Sequence, residues 1–155
     1  RVFQRALAVN GTLCPIDDHF GIPPAVFAAT RERFDEVARL KFYRRMCRKK
    51  EILNGFLAHQ PARSPMGQLA ELVALERQVD CGSAKDAIYD RVLISDQDFI
   101  MPTVNQRAFW LGEQHSGVGQ IQERQVQEIA APHFPFYRWP AWDDLLAEVW
   151  GPDHA

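Results

Sequence analysis

Turn-forming and helix-breaking residues cut this chain into short segments, and that punctuation limits what it can fold into. Asn10-Gly11, Pro23-Pro24, Pro61 and Pro65 with Gly67, Cys81-Gly82, the stretch from Gly112 to Gly119, and Pro132, Pro135, Pro140 and Pro152 each end or forbid regular structure. No segment between them approaches the roughly 18–20 apolar residues needed to cross a bilayer as a helix. With 155 residues and 46% hydrophobic composition, the chain supports one core, with an extended tail beyond it.

Most segments carry a helical period. Arg1 to Val9 reads as a short helix stopped at Asn10-Gly11, and Pro23-Pro24 suits the first turn of another. From Ala25 the spacing of Phe27, Phe34 and Val37 predicts a helix to about Leu40, and helix persists from Phe42 to Leu57. Leu69, Leu72, Val73 and Val79 form one stripe of an amphipathic helix, and Ser83 can cap a short helix containing Ile88 and Val92. Asp96 to Pro102 reads as a loop or one extended strand, and Val104 to Leu111 as a short helix or strand. Gly112 to Gly119 is a turn-rich linker, and the Gln-rich stretch to Ala130 is polar on most faces. Ala131 to Pro140, with three prolines among His133, Phe134, Phe136, Tyr137 and Trp139, suits an extended aromatic strap. A last helix opens at Pro140, with Asp143 and Asp144 at its positive end and Trp142, Leu145, Leu146, Val149 and Trp150 on one face. The expectation is a mostly α protein: a helical bundle over residues 1–94, then an irregular linker, strap and terminal amphipathic helix over 95–155.

Charge is unevenly placed. The net charge is −2 and charged residues make up 25%, which argues against both disorder and a globally basic nucleic-acid binder. Yet Arg39 to Lys50 carries seven basic residues and no acid, whereas the last fifteen residues hold Asp143, Asp144, Glu148 and Asp153 and no Lys or Arg. On a helix, Lys41, Arg44, Arg45 and Arg48 share a face, with Arg39 nearby, so several cations lie in register for carboxylates or phosphates. Repulsion within such a run costs a few tenths of a kcal/mol per pair, which an acidic partner would relieve; an ordinary solvated face is the plainer account. Phe42 and Tyr43 could stack on bases but fit a helix core as well. Trp139, Trp142 and Trp150 are of the type that anchors interfaces, or packs on the chain's own core.

Catalytic and metal motifs are not evident. Cys14, Cys47 and Cys81 are odd in number and form no C-x-x-C pair, which argues against a disulfide framework or zinc ribbon and fits a reducing compartment. Cys14 with His19 and Asp17 or Asp18 could form a thiol nucleophile, but no flanking signature supports it. His59, His115, His133 and His154 lack metal-ligand spacing, and Gly117-Val118-Gly119 lacks the strand and third glycine of a dinucleotide loop. No cofactor is expected. The chain starts at Arg1 rather than Met, which leaves open whether a leader has been removed.

Val2-Phe3-Gln4-Arg5-Ala6-Leu7 resembles the opening of the LYR-motif proteins of mitochondria, and Thr30-Arg31-Glu32-Arg33-Phe34 resembles their Arg-rich element ending in Phe. A second register, Phe42-Tyr43-Arg44 with Arg45 and Arg48, keeps the Tyr and Arg, and His59-Gln60-Pro61 to Pro65 is similar to the break in a complex I accessory subunit of that type. The resemblance covers about the first 65 residues. It implies a small three-helix, mitochondrial accessory subunit of the respiratory chain that binds acyl carrier protein and other subunits, and no enzyme. The Arg39 to Lys50 run would then face the carrier's carboxylates. The alternatives are a nucleic-acid-associated or ribosomal helical protein using the same face on phosphates, and a small Cys-dependent enzyme centred on Cys14.

Overall fold

The computed structural model describes residues 5–77, 81, 88–112 and 126–151. At its centre lie three parallel strands in the order β1 (Leu7–Val9), β2 (Arg91–Gln97) and β3 (Val126–Pro132). Among the described residues four helices come between β1 and β2: α1 (Pro24–Glu32), α2 (Glu36–Cys47), α3 (Lys50–Ala58) and α4 (Pro65–Glu76). A fifth, α5 (Thr103–Leu111), lies between β2 and β3, and α6 (Trp142–Trp150) follows a 3-10 turn at Phe136–Arg138.

This α/β architecture corrects the mostly α helical bundle expected from the sequence. Leu7–Val9, read as the end of an amino-terminal helix, forms β1, the Val92 assigned to a short helix lies in β2, and the stretch read as polar and then as strap contains β3. The physical reason lies in the burial of parallel strands. A strand covered on both faces reads as a short apolar run without alternation, and over three to seven residues such a run cannot be told from helix by period. In β2 Val92, Leu93, Ile94 and Ser95 are all buried.

Alternate residues of β2 feed opposite layers. Val92 and Ile94 join Ala8 and Trp110 beneath α5, whereas Leu93 joins Ile129, Ala131 and Leu145 of α6 on the other face. The indole Nε1–H of Trp110 donates to the Gly11 carbonyl at 2.8 Å, tying α5 to the end of β1. A third cluster, Tyr43, Met46, Cys47, Ile52 and Ile100, joins α2 and α3 to the chain beyond β2.

Local chemistry explains the helix boundaries. Asp35 accepts from the Ala38 N–H at 2.8 Å and so starts α2 as a new helix, which is why the predicted continuous helix to Leu40 is broken. The break after α2 is Arg48, whose φ of 63° is left-handed. Ser64 caps α4 by accepting from Gly67 N–H, with Pro65 in the first turn. In α6 the Asp144 carboxylate accepts from Ala141 N–H at 3.0 Å. The Ser83 cap, the Gly112 to Gly119 linker, the Gly117-Val118-Gly119 hinge, most of the Gln-rich stretch, His115, His154, Pro152 and Val2 to Gln4 lie wholly or largely outside the described residues.

Candidate functional site

All three strands deliver a polar side chain just beyond their carboxyl ends: Asn10 after β1, Asp98 after β2 and His133 after β3. In parallel α/β sheets the crevice outside those ends is where ligands bind. The register decides which residues meet. Ser95 pairs with Ile129 but Gln97 pairs with Pro132, so β3 fits one more residue than β2 into that interval. That irregularity brings His133 level with Asp98. Without it the following residues would be one step out and face opposite sides.

His133 Nδ1 lies 2.7 Å from Asp98 Oδ2. A carboxylate only accepts, so the Nδ1 carries the proton and donates it; in the neutral form of the ring the lone pair is then on Nε2. The Asp98 side chain is fully buried and that of His133 is 24% exposed. Asp98 Oδ1 accepts from Ile100 N–H at 2.8 Å and Met101 N–H at 2.9 Å, and Oδ2 accepts from Gln106 Nε2 at 2.9 Å as well as from His133. The carboxylate thus has four donors.

The histidine is held from the backbone as well. Asn10, buried and with a left-handed φ of 49°, donates from Nδ2 to the His133 carbonyl at 2.8 Å and to Ser95 Oγ at 2.9 Å. Its Oδ1 accepts from Ser95 N–H at 2.7 Å. On the far side, Phe134 N–H donates to the Met46 carbonyl at 3.2 Å, which ties the histidine loop to the end of α2. Among the described residues no hydroxyl or thiol is hydrogen-bonded to the His133 ring. Such a pair can act as a general base, with His133 moving a proton at Nε2 and Asp98 orienting the ring and stabilising its cationic form.

A largely apolar cavity of about 510 Å³ opens between α3 and the aromatic strap, lined by Ile52, Phe56, Phe134, Phe136 and Tyr137 with Glu51 and His59 also on its wall; His133 is not part of the lining, but its chain neighbour Phe134 is. Further back along the sheet, where Glu128 pairs with Ile94, Arg107 of α5 makes a bidentate ion pair with Glu128 of β3, at 2.7 and 2.5 Å. That hydrogen bonding holds the Arg107 guanidinium above its usual range and the Glu128 carboxyl below its own.

The sequence singles out neither Asp98 nor His133, because period and punctuation place one in a loop and the other in a strap. The signal is an apolar strand followed at once by a carboxylate, and a second followed at once by an imidazole. It carries meaning only once both segments are known to be parallel neighbours. The proposed Cys14 nucleophile does not stand, because Cys14 is bonded to Cys81 as a disulfide, with Cα atoms 4.4 Å apart. That bond also corrects the expectation of unpaired cysteines. Cys14, Asp17 and Cys81 cluster closely enough to suggest a metal, but both sulfurs are already used, and among the described residues no other such group occurs. Cys47 is the free thiol, buried, with its pKa pushed up to about 11 by desolvation.

The predicted basic face is assembled around α2. Arg39 pairs with Glu36 at 2.6 Å and donates to the Arg63 carbonyl. Lys41, Arg44, Arg45 and Arg48 are exposed and, among the described residues, have no carboxylate partner. Arg45 donates to the Phe99 carbonyl at 3.4 Å and the Arg48 guanidinium lies 3.8 Å from the Phe99 ring centroid. Phe42 and Tyr43 belong to the helix packing, and Tyr43 is buried. Of the tail tryptophans, Trp139 donates to Glu148 at 2.6 Å, Trp150 lies under Arg5 at 5.8 Å, and Trp142 is 69% exposed beside Phe136.

A family model described as pimeloyl-ACP methyl esterase BioG matches residues 2–145. The chain belongs to the BioG family. BioG from Haemophilus influenzae, known as a crystal structure, superposes with a TM-score of 0.71 at 31% identity over 96% of this chain and 63% of that one. An uncharacterised protein of H. influenzae is 36% identical over 144 residues, which is 92% of this chain and 61% of that protein. A malonyl-[acyl-carrier protein] O-methyltransferase of Bacteroides fragilis is 36% identical over 107 residues, covering 69% of this chain and 22% of that protein. The chain thus spans less than two thirds of each of these relatives.

BioG membership overturns the LYR resemblance, and with it the reading of a non-catalytic subunit of a mitochondrial respiratory complex. The family is one of enzymes, and these relatives are bacterial. The LYR registers failed because a few aromatic and basic residues on amphipathic segments recur in unrelated folds. An acyl carrier protein stands in the names of the family and of the B. fragilis relative, whereas respiratory subunits and nucleic acid stand in none of the relatives' names.

Proposed function

We propose that this chain supplies the acid–base pair of a carboxylic ester hydrolase acting on a methyl ester carried by an acyl carrier protein. The observation that carries the reading is the His133–Asp98 hydrogen bond at the carboxyl ends of β3 and β2. In this scheme a hydroxyl presented at His133 Nε2 loses its proton to the ring and attacks the ester carbonyl. The proton then passes to the departing methoxide, releasing methanol; a water deprotonated at the same Nε2 next cleaves the acyl–oxygen bond just formed, giving the free carboxylate and returning the hydroxyl, and Asp98 keeps the ring in the productive tautomer throughout. The two enzyme names among the relatives meet on one bond, since a methyltransferase forms such an ester and an esterase hydrolyses it. Methyl transfer onto a carboxylate moves no proton and has no use for a general base, so the pair favours hydrolysis.

The basic face fits the same reading. Arg45 and Arg48 reach Phe99, the residue after Asp98, so an acidic carrier held by Lys41, Arg44, Arg45 and Arg48 would sit beside the site. The cavity next to Phe134 suits an acyl chain, and Trp142 is the tail tryptophan still open to a partner. The experiment is hydrolysis by the full-length protein of a methyl ester on acyl carrier protein, compared with the same ester on a small thiol. Methanol release is expected from both. Replacing Arg44, Arg45 and Arg48 by Glu should raise KM at least about 10-fold for the carrier-bound ester alone. Equal effects on both substrates would refute the docking role, and no methanol release would refute the hydrolase.

A further inference from the structure

Gln106 is fully buried in the first turn of α5 and uses both amide hydrogens. One is donated to Asp98 Oδ2 at 2.9 Å and the other to the Met101 carbonyl at 2.9 Å. Its own carbonyl oxygen, equally buried, has no partner among the described residues. The amide cannot turn over to relieve this, because Oε1 would then confront the carboxylate and a carbonyl, both acceptors only. A methionine of similar length would fill the space without a stranded oxygen, so packing alone does not account for a glutamine here.

The requirement lies with Asp98. Ile100 and Met101 N–H fix Oδ1, but without Gln106 the other oxygen would have one donor, the His133 ring, which is the group that must change charge during turnover. We propose that Gln106 is a positioning residue: it pins Asp98 Oδ2 with a second hydrogen bond that does not depend on the imidazole, so that the carboxylate plane stays aimed at Nδ1 while His133 takes up and returns its proton. Its action passes through Asp98 and involves no contact with substrate. A carboxylate held in place before the reaction needs no reorganisation as charge develops. The inference rests on the general-base reading of His133, but it makes a claim about ring geometry that can be read without any ester.

The test measures the ¹⁵N shifts of the His133 ring above neutral pH, which report the tautomer, and kcat and KM of the full-length protein on p-nitrophenyl butyrate. The variants are Gln106→Met, Gln106→Asn, which keeps an amide too short to reach, and Gln68→Met. Gln68 is the control: it too donates from Nε2, to Tyr43 Oη at 3.0 Å, and has a buried Oε1 with no partner among the described residues, but it bonds to neither Asp98 nor His133 there. The unaltered protein should hold His133 as the Nδ1–H tautomer. Either Gln106 variant should shift it toward the Nε2–H form that water favours and lower kcat about 10-fold with KM unchanged, as for loss of one hydrogen bond to a charged group. Gln68→Met should do neither. An unaltered tautomer in the Gln106 variants, the same kcat loss in Gln68→Met, or failure of both Gln106 variants to fold would overturn the assignment. If no ester is hydrolysed but the tautomer responds as stated, the hydrolase reading falls and the positioning role stands.

Discussion

Changing Asp98 to Asn replaces one oxygen by NH₂ and leaves the volume the same, so its effect can be worked out bond by bond. Two donors, Ile100 and Met101 N–H, are backbone groups that cannot turn, and the new amide oxygen must face them. The NH₂ then points at Gln106 Nε2 and His133 Nδ1, both donors in the native site. Gln106 can turn its carbonyl to the NH₂ only by giving up its bond to Met101. His133 can pair only by accepting at Nδ1, which moves its proton to Nε2 and removes the lone pair that takes a proton from the nucleophile. On a Ser-His-Asp template the loss is about 10³- to 10⁴-fold in kcat, equivalent to about 4–5.5 kcal/mol of barrier. The protein should nevertheless fold, losing about 1.5–3 kcal/mol, the value of one hydrogen bond to a charged group. Methanol release gives the rate and a urea titration the stability. A folded variant that keeps more than about a tenth of the activity would refute the claim that Asp98 directs His133 as a base.

Gly21→Ala should destabilise by about 1–3 kcal/mol, the usual range for overpacking, because a Cβ there would overlap the Cys14 carbonyl and lie 2.7 Å from Pro15 backbone atoms; an unchanged denaturation midpoint would contradict the geometry. Cys47, buried and with its pKa pushed up to about 11, should resist iodoacetamide at pH 8 in the native protein and react once it is unfolded. The sign follows from linkage: the unfolded thiol, with an ordinary value of 9.0, ionises first, so stability falls as pH rises from about 9 to about 11, and a Cys47→Ala variant should lose that alkaline slope.

Punctuation and amphipathic period are legible in the sequence itself. Pro24, Ser64-Pro65 and Gly151 mark helix ends, and α4 and α6 lie where an apolar stripe runs between breaks, because capping and period are properties of neighbours in sequence. The basic run is equally plain, since charge needs no fold to be counted. Strands are not legible. β1 is three residues long, and β2 hides between two faces of core, so neither shows the alternation by which a strand announces itself.

The candidate site belongs to the tertiary structure alone. Asn10, Asp98 and His133 come from three parts of the chain and meet because parallel pairing sets the strand ends side by side, with one irregularity in β3 setting the phase. Sequence by itself determined where helices could begin and end and where positive charge would gather. Which strands pair, and in what register, is decided by long-range burial of Leu93, Ile94 and Trp110, a free energy that no local window contains. The site inherits its geometry from that pairing.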